Sequence, residues 1–358
     1  MREIRRTISL GAVENNFRLL QKQAKKSAIA AVVKADAYGL GMAPISRRLA
    51  DLGCQQFFVA TPDEGEALRQ LLPEVTIFIL NGLSGRQPQA FHQAHLVPVL
   101  NSVEEIQRWS TAGELTQFGC AIHIDTGMQR LGLTPEEFTH LRLDSRLANK
   151  LNLKLLISHL ACAELSQAKM NAEQHALFSS LTDSFSSTSR SLANSSGVFL
   201  NPAFHFDCCR AGAALYGVNP QPGLINPMQS VVTVTAPVIQ IRRLTQSCSV
   251  GYGATTMLPP GTRLATIAAG YADGYPRLAS NQSHIQIGEW LVPVVGRVSM
   301  DLISVDITAL PETAVSIADR VHLLSPMITV DDLAEAANTI GYEILTNLGR
   351  HAVTSYVD

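Results

Sequence analysis

The chain has no apolar run long enough to cross a bilayer: its longest hydrophobic stretches are strand-sized, well short of the ~20 residues a spanning helix needs. It has no surplus of charge either. With 28 Lys and Arg against 30 Asp and Glu, and a net charge of −2 over 358 residues, there is no basic stripe for nucleic acid or an anionic membrane. Cysteine is sparse. Cys54, Cys120, Cys162, Cys208, Cys209 and Cys248 are scattered and include no Cys-x-x-Cys pair, so neither a metal centre nor a disulfide framework is expected. Adjacent Cys208 and Cys209 sit in an apolar context where a free thiol packs as a small hydrophobe. The opening Met-Arg-Glu-Ile-Arg-Arg lacks the apolar core of a secretion signal, which points to the cytoplasm. What remains is a protein for a small ligand.

The length suits one barrel-sized unit plus a smaller one. Up to about residue 225, short apolar runs at 29–33, 56–60, 75–80, 96–100, 119–124, 155–160, 192–196 and 206–216 alternate with segments of helical period. Eight strands separated by helices make an α/β fold with an N-terminal (β/α)8 TIM-type barrel the economical reading. Segment 62–71 begins with Pro and acidic residues, and 102–109 begins with Ser102, both helix-start patterns. After a proline-rich connection at 219–229 the pattern changes to β-branched alternation, with one clear helix expected at 331–340, capped by Asp331 and stopped by Gly341. The expected division is 1–228 for the barrel and 229–358 for a mainly-β C-terminal domain. The chain has no internal repeat.

Residues 29–33, Ile-Ala-Ala-Val-Val, deliver Lys34 to a strand end just before a glycine-punctuated turn. Burial there disfavours the ammonium, and a neutral amine attacks carbonyls, so Lys34 is a Schiff-base candidate. Read alone, the segment also fits a surface lysine that stops a strand. Catalytic groups of a barrel collect at the C-terminal ends of its strands, with phosphate commonly bound after strands 7 and 8. The small-residue turns Ala193-Asn-Ser-Ser-Gly197 and Arg210-Ala-Gly-Ala-Ala-Leu-Tyr-Gly217 fall there. A lysine at one position and a phosphate cradle at another meet the needs of pyridoxal phosphate, although each turn alone reads as an ordinary turn.

Eight motifs then carry a resemblance. Val33-Lys-Ala-Asp-Ala-Tyr-Gly39, Asp125-Thr-Gly-Met-Gln-Arg-Leu-Gly132, Ser158-His-Leu-Ala-Cys-Ala-Glu164, Ala193-Asn-Ser195, Arg210 to Gly217, Val250-Gly-Tyr-Gly-Ala254, Gly270 to Arg277 and Gly296-Arg-Val-Ser-Met-Asp301 resemble, in order, those of the alanine racemases. That family uses pyridoxal 5′-phosphate on a barrel joined to a β-domain. The resemblance implies a two-base interconversion of L- and D-alanine, serving cell-wall peptidoglycan or alanine catabolism. Related racemases of serine, lysine or broader range, and a non-catalytic cofactor carrier, are the competing readings.

It also implies roles. Lys34 holds the cofactor and is one base; Tyr252, reaching across a homodimer with shared active sites, is the other. Tyr38, Asn194, Ser195, Gly212, Ala213 and Tyr356 bind the phosphate, Arg210 faces the pyridine nitrogen with His159 behind it, and Arg130 lies by the phenolic oxygen. Arg130 and the Met300 backbone receive the substrate carboxylate, while Glu164, Tyr271, Arg277, Arg297 and Asp301 line the entrance. His123 departs from the pattern, standing where many members have a lysine, sometimes carbamylated. Asp36, Leu40 and Thr354 are further departures from commoner Asn, His and Arg.

Overall fold

The computed structural model describes residues 4–112, 119–143, 151–185 and 187–358. Its first strand, β1 (Arg5–Ser9), leads into a helix over Leu10–Ala24, capped by the Ser9 hydroxyl, which accepts the Ala12 N–H at 3.0 Å. Eight parallel strands follow: β2 (Ala28–Val32), β3 (Gln56–Val59), β4 (Thr76–Ile79), β5 (Val97–Leu100), β6 (Cys120–His123), β7 (Leu153–Ile157), β8 (Ser189–Ser191) and β9 (Cys208–Ala211). They pair in the order β8-β7-β6-β5-β4-β3-β2-β9. The ring is drawn together where the Asp207 N–H reaches Arg190 O (3.0 Å) and the Arg210 N–H reaches Ala193 O (2.9 Å). Helices around a parallel ring bury both strand faces, which is why β2 to β6 are almost wholly apolar. The helix Pro62–Leu71 starts in a full capping box, Thr61 with Glu64.

Two expected elements differ. The seventh strand is not the apolar 192–196 but the polar Ser189-Arg190-Ser191, held by Arg190 pairing with Asp183 and stacking over Phe206. Residues 192–196 form the turn beyond it. In place of one helix at 331–340 there are two, Val330–Ala336 and Gly341–Asn347. Thr329, not Asp331, is the cap of the first, because its hydroxyl accepts the Asp332 N–H while the Asp331 carboxylate accepts the Asn219 N–H. Gly341 opens the second helix instead of stopping the first.

The second sheet is mostly antiparallel. It contains β10 (Val232–Arg243), β13 (Arg263–Ile267), β14 (His284–Ile287), β15 (Trp290–Pro293), β16 (Ile303–Asp306), β17 (Arg320–Leu324) and β18 (Val353–Val357); β11 (Cys248–Val250) and β12 (Thr256–Leu258) form a separate hairpin. β1 joins this sheet, antiparallel to β10 and parallel to β18. All six cysteines are free. No described helix is long and apolar enough to cross a membrane.

Candidate active site

At the C-terminal ends of the barrel strands lies a cavity of about 860 Å3. Lys34 enters from the end of β2, His123 from β6, Arg130 from the loop after it, His159 from beyond β7, Asn194 and Ser195 from beyond β8, and Arg210, Gly212 and Ala213 from β9 and its turn. Most of the residues predicted for the site are thereby brought together. Thr339, Ile340, Tyr342 and Glu343 of the C-terminal half complete the wall.

Lys34 stands at the head of a left-handed turn. Ala35, Asp36, Ala37 and Tyr38 have φ of 52°, 53°, 52° and 59°. Each such L-residue costs about 1–2 kcal/mol, so the turn persists only because neighbours hold it. Glu64 accepts the Ala35 N–H (2.7 Å), Asp36 accepts the Met42 N–H (2.7 Å), and the Gly39 N–H returns to Ala35 O (2.7 Å). Burial lowers the Lys34 pKa, the Arg130 charge lowers it further, and Glu64 opposes both.

At one end the Ser195 hydroxyl accepts the Gly212 and Ala214 N–H groups at 2.9 and 3.2 Å. A Cβ on Gly212 would lie 2.5 Å from the Tyr38 hydroxyl, so only glycine admits that approach. The Tyr38 ring packs between Tyr216 and Tyr342, with centroids 4.9 and 5.9 Å away. Tyr342 was not legible as a site residue; a tyrosine after a presumed helix stop gave no signal. Tyr356 lies elsewhere. Pairing of β18 with β1 carries its hydroxyl onto Leu40 O (3.0 Å), outside the cavity lining.

Arg210 is buried and spends four N–H donors on protein. They go to Ser191 O (2.9 Å), Ser191 Oγ (2.6 Å), Ser158 O (2.5 Å) and His159 Nδ1 (3.2 Å). Its Nε–H has no acceptor among the described residues. Burial lowers its pKa to about 10, which still leaves it a cation at neutral pH. His159 is pushed well below the ordinary imidazole range by burial and then by Arg210, so its Nδ1 is free to accept. Behind them Thr126, Ser158 and Gln174 form a buried chain, with Gln174 donating to Thr126 (3.2 Å) and to His159 O (2.9 Å).

Burial, followed by Arg210, lowers the His123 pKa to about 4. The folded state therefore binds fewer protons than the unfolded one between there and the ordinary 6.5, and stability falls as pH drops through that window. One proton gives a slope of up to about 1.4 kcal/mol per pH unit. In His123→Gln, denaturant titrations across the window should show a slope shallower by up to that amount; an unchanged slope would mean His123 titrates normally.

The other predicted residues lie outside this cavity. Tyr252 is 70% exposed on the turn after β11, where Gly296 must lack a side chain because a Cβ would meet Val250 O at 2.7 Å. Met300 is 55% exposed, and its carbonyl accepts the Ala272 N–H (2.9 Å), bringing it beside Tyr271. Tyr271 and Arg277 line a neighbouring cavity that shares Thr339 and Glu343 with the first. Arg297 packs under the Tyr252 turn, and Asp301 follows Met300. Glu164 is exposed, near enough to Tyr342 for its charge to raise that phenol's pKa.

Family models for the alanine racemase N-terminal and C-terminal domains match residues 8–220 and 231–356. The chain is 43% identical to an alanine racemase of Rhodospirillum rubrum over 348 residues, 96% of this chain and 93% of that one. It is 44% identical to a catabolic alanine racemase of Agrobacterium fabrum, over 98% and 91% of the two chains. Among solved structures, alanine racemase of Bartonella henselae with covalently bound pyridoxal phosphate superposes with a TM-score of 0.93 at 37% identity, covering 99% of each chain. The biosynthetic alanine racemase of Pseudomonas aeruginosa gives 0.93 at 33% identity, covering 100% of both.

Proposed function

Because this chain belongs to the alanine racemase family, an isomerase family that interconverts L- and D-alanine, we propose the following roles for its residues. What supports them is the convergence of Lys34, Arg130 and Arg210 with two neutral histidines on one cavity. Three cations and a cradle opened by Gly212 suit an anionic, phosphate-bearing cofactor, pyridoxal 5′-phosphate. When bound, that group supplies an electron sink that acidifies the Cα–H of the amino acid attached to it. Tyr38, Asn194, Ser195 and the amides of Gly212 and Ala213 would hold its phosphate, with Tyr342 in the place expected for Tyr356. Arg210, backed by His159, would face its ring, and Lys34 would anchor it.

Inversion at Cα needs a proton taken from one face and returned to the other. Lys34 Nζ serves one face, and its lowered pKa raises the fraction of free amine available to accept that proton. Tyr252 Oη serves the opposite face. Its exposed turn lies outside the cavity of its own chain, so a second copy must bring it, as a two-fold homodimer with shared sites allows. Arg130 and the Met300 amide orient the substrate carboxylate, and Glu164, Tyr271, Arg277, Arg297 and Asp301 screen the entrance. The units 1–228 and 229–358 divide the work, barrel for cofactor and β-domain for the second base. The reaction belongs in the cytoplasm and involves no membrane or nucleic acid.

The test follows the circular dichroism of L-alanine, L-serine and L-lysine over the loaded enzyme. Alanine should decay to zero ellipticity fastest by a wide margin. Faster decay of serine or lysine would reassign the substrate.

A further inference from the structure

Glu64 closes the capping box that opens the helix Pro62–Leu71: its Oε2 accepts the Thr61 N–H (3.3 Å) and the Ala60 N–H (2.7 Å), while its own N–H goes to the Thr61 hydroxyl (3.3 Å). One oxygen completes that cap. The other, Oε1, turns away from the helix and accepts the Ala35 N–H at 2.7 Å, so a single carboxylate joins the chain just beyond β3 to the peptide that follows Lys34. The cap alone does not need a side chain of this length. In the helix Val330–Ala336 the same box, Thr329 with Asp332, is closed by the shorter aspartate, whose Oδ2 takes the Thr329 N–H at 2.7 Å.

Ala35, Asp36 and Ala37 pair their positive φ with ψ of 49°, 49° and 52°, which makes one turn of left-handed helix, and a helical turn leaves its first N–H groups without an acceptor inside it. The Ala37 N–H reaches Val33 O (2.9 Å) and the Gly39 N–H reaches Ala35 O (2.7 Å), but the Ala35 N–H precedes that ladder and depends on Glu64. Ala35 is exposed, so water is available to the same N–H. What water cannot supply is a fixed direction. The strap has a counterpart in Glu105, which takes the Asn101 and Leu83 N–H groups, both at 2.8 Å, yet the loop it ties down, 80–87, contains no lysine.

We propose that Glu64 is the positioning residue of Lys34: by holding the Ala35 N–H it keeps the turn left-handed and the amine directed into the cavity, a task that takes both carboxylate oxygens and the full length of the side chain. The proposal rests on the reading that Lys34 anchors the cofactor. An L-residue released from this bond prefers right-handed or extended backbone, and rotation at Ala35 shifts the peptide that fixes the direction of Lys34. Misplacing a reacting group by about 1 Å costs up to about a hundredfold in rate.

The first test is amide hydrogen exchange in the unsubstituted holoenzyme. The Ala35 N–H, although its residue is exposed, should exchange at least about a hundredfold more slowly than in a free peptide, and free exchange would overturn the strap. The second compares holoenzyme variants by melting temperature, by the visible circular dichroism of the bound cofactor and by kcat for L-alanine. Glu64→Asp keeps the charge and the cap but falls one methylene short of Ala35. It should melt within about 3 °C of the parent, weaken the visible dichroism and lower kcat about tenfold. Glycine enters the left-handed region without the steric penalty, so in an Ala35→Gly background the kcat loss on Glu64→Asp should shrink to within about twofold. Full activity and dichroism in Glu64→Asp, or the same loss in both backgrounds, would mean that Glu64 only caps its helix. Borohydride reduction and peptide mapping locate the cofactor independently. Label on another lysine would fault the anchoring reading and the proposal with it, whereas label on Lys34 with an unrescued loss would fault the proposal alone.

Discussion

Tyr252→Phe should lose racemisation by about a thousandfold yet still exchange the Cα proton of one enantiomer with heavy water. The size follows from the 10²–10⁴-fold that a positioned acid or base typically contributes. The asymmetry follows from geometry. With the phenol gone, Lys34 can still remove and return a proton on its own face, and solvent deuterium enters there without inversion. The mirror-image substrate presents its Cα–H to the face that has lost its base, and its exchange should fall with racemisation. Phenylalanine keeps the ring, and a side chain 70% exposed in its own chain has little packing to lose. Proton NMR of L- and D-alanine in heavy water reads both quantities in one experiment. Equal exchange losses for the two enantiomers, or an unchanged rate of inversion, would overturn the two-base assignment.

The barrel was legible because five of its strands, β2 to β6, are buried on both faces and so read as nearly unbroken apolar runs. β8 was not, since Ser189-Arg190-Ser191 earns its place through ion pairs and a cation–π contact that leave no periodic trace. β1 was hidden for another reason: its partners, β10 and β18, lie more than 200 residues away, and non-local pairing has no local signature. Within the site, Lys34, Ser195 and Arg210 could be found because they terminate strands or sit in small-residue turns. The run of left-handed residues after Lys34 could not, because Ala-Asp-Ala-Tyr contains no glycine to announce it. Tyr342 and Tyr356 stand 14 positions apart near the same end of the chain, and only the pairing of β18 with β1 decides which of them reaches the cavity. The hydrogen-bond partner of His123, Asn101, is 22 residues away and on another strand's end.

Mixing inactive Lys34→Ala protein with inactive Tyr252→Phe protein should restore activity. If each site takes its lysine from one chain and its tyrosine from the other, a mixed dimer has two unlike sites. One combines both substitutions, and the other combines both intact residues and is fully competent. Random exchange makes about half the dimers mixed, so recovery should approach a quarter of wild-type activity on the two-fold symmetry argument. The structure motivates the expectation on two counts: Tyr252 is absent from the cavity that holds Lys34, and Tyr271, Leu278 and Met300 form an apolar, exposed surface near it, 43%, 70% and 55% accessible. On the same arrangement specific activity should fall on dilution, because separated dimers would leave each chain a lysine without its tyrosine. Exchange is verified independently by mass-tagging one parent. No recovery after verified exchange would place Tyr252 in service of its own chain, which the 70% exposure of its ring would then have to be reconciled with by a movement of the β-domain onto the barrel mouth.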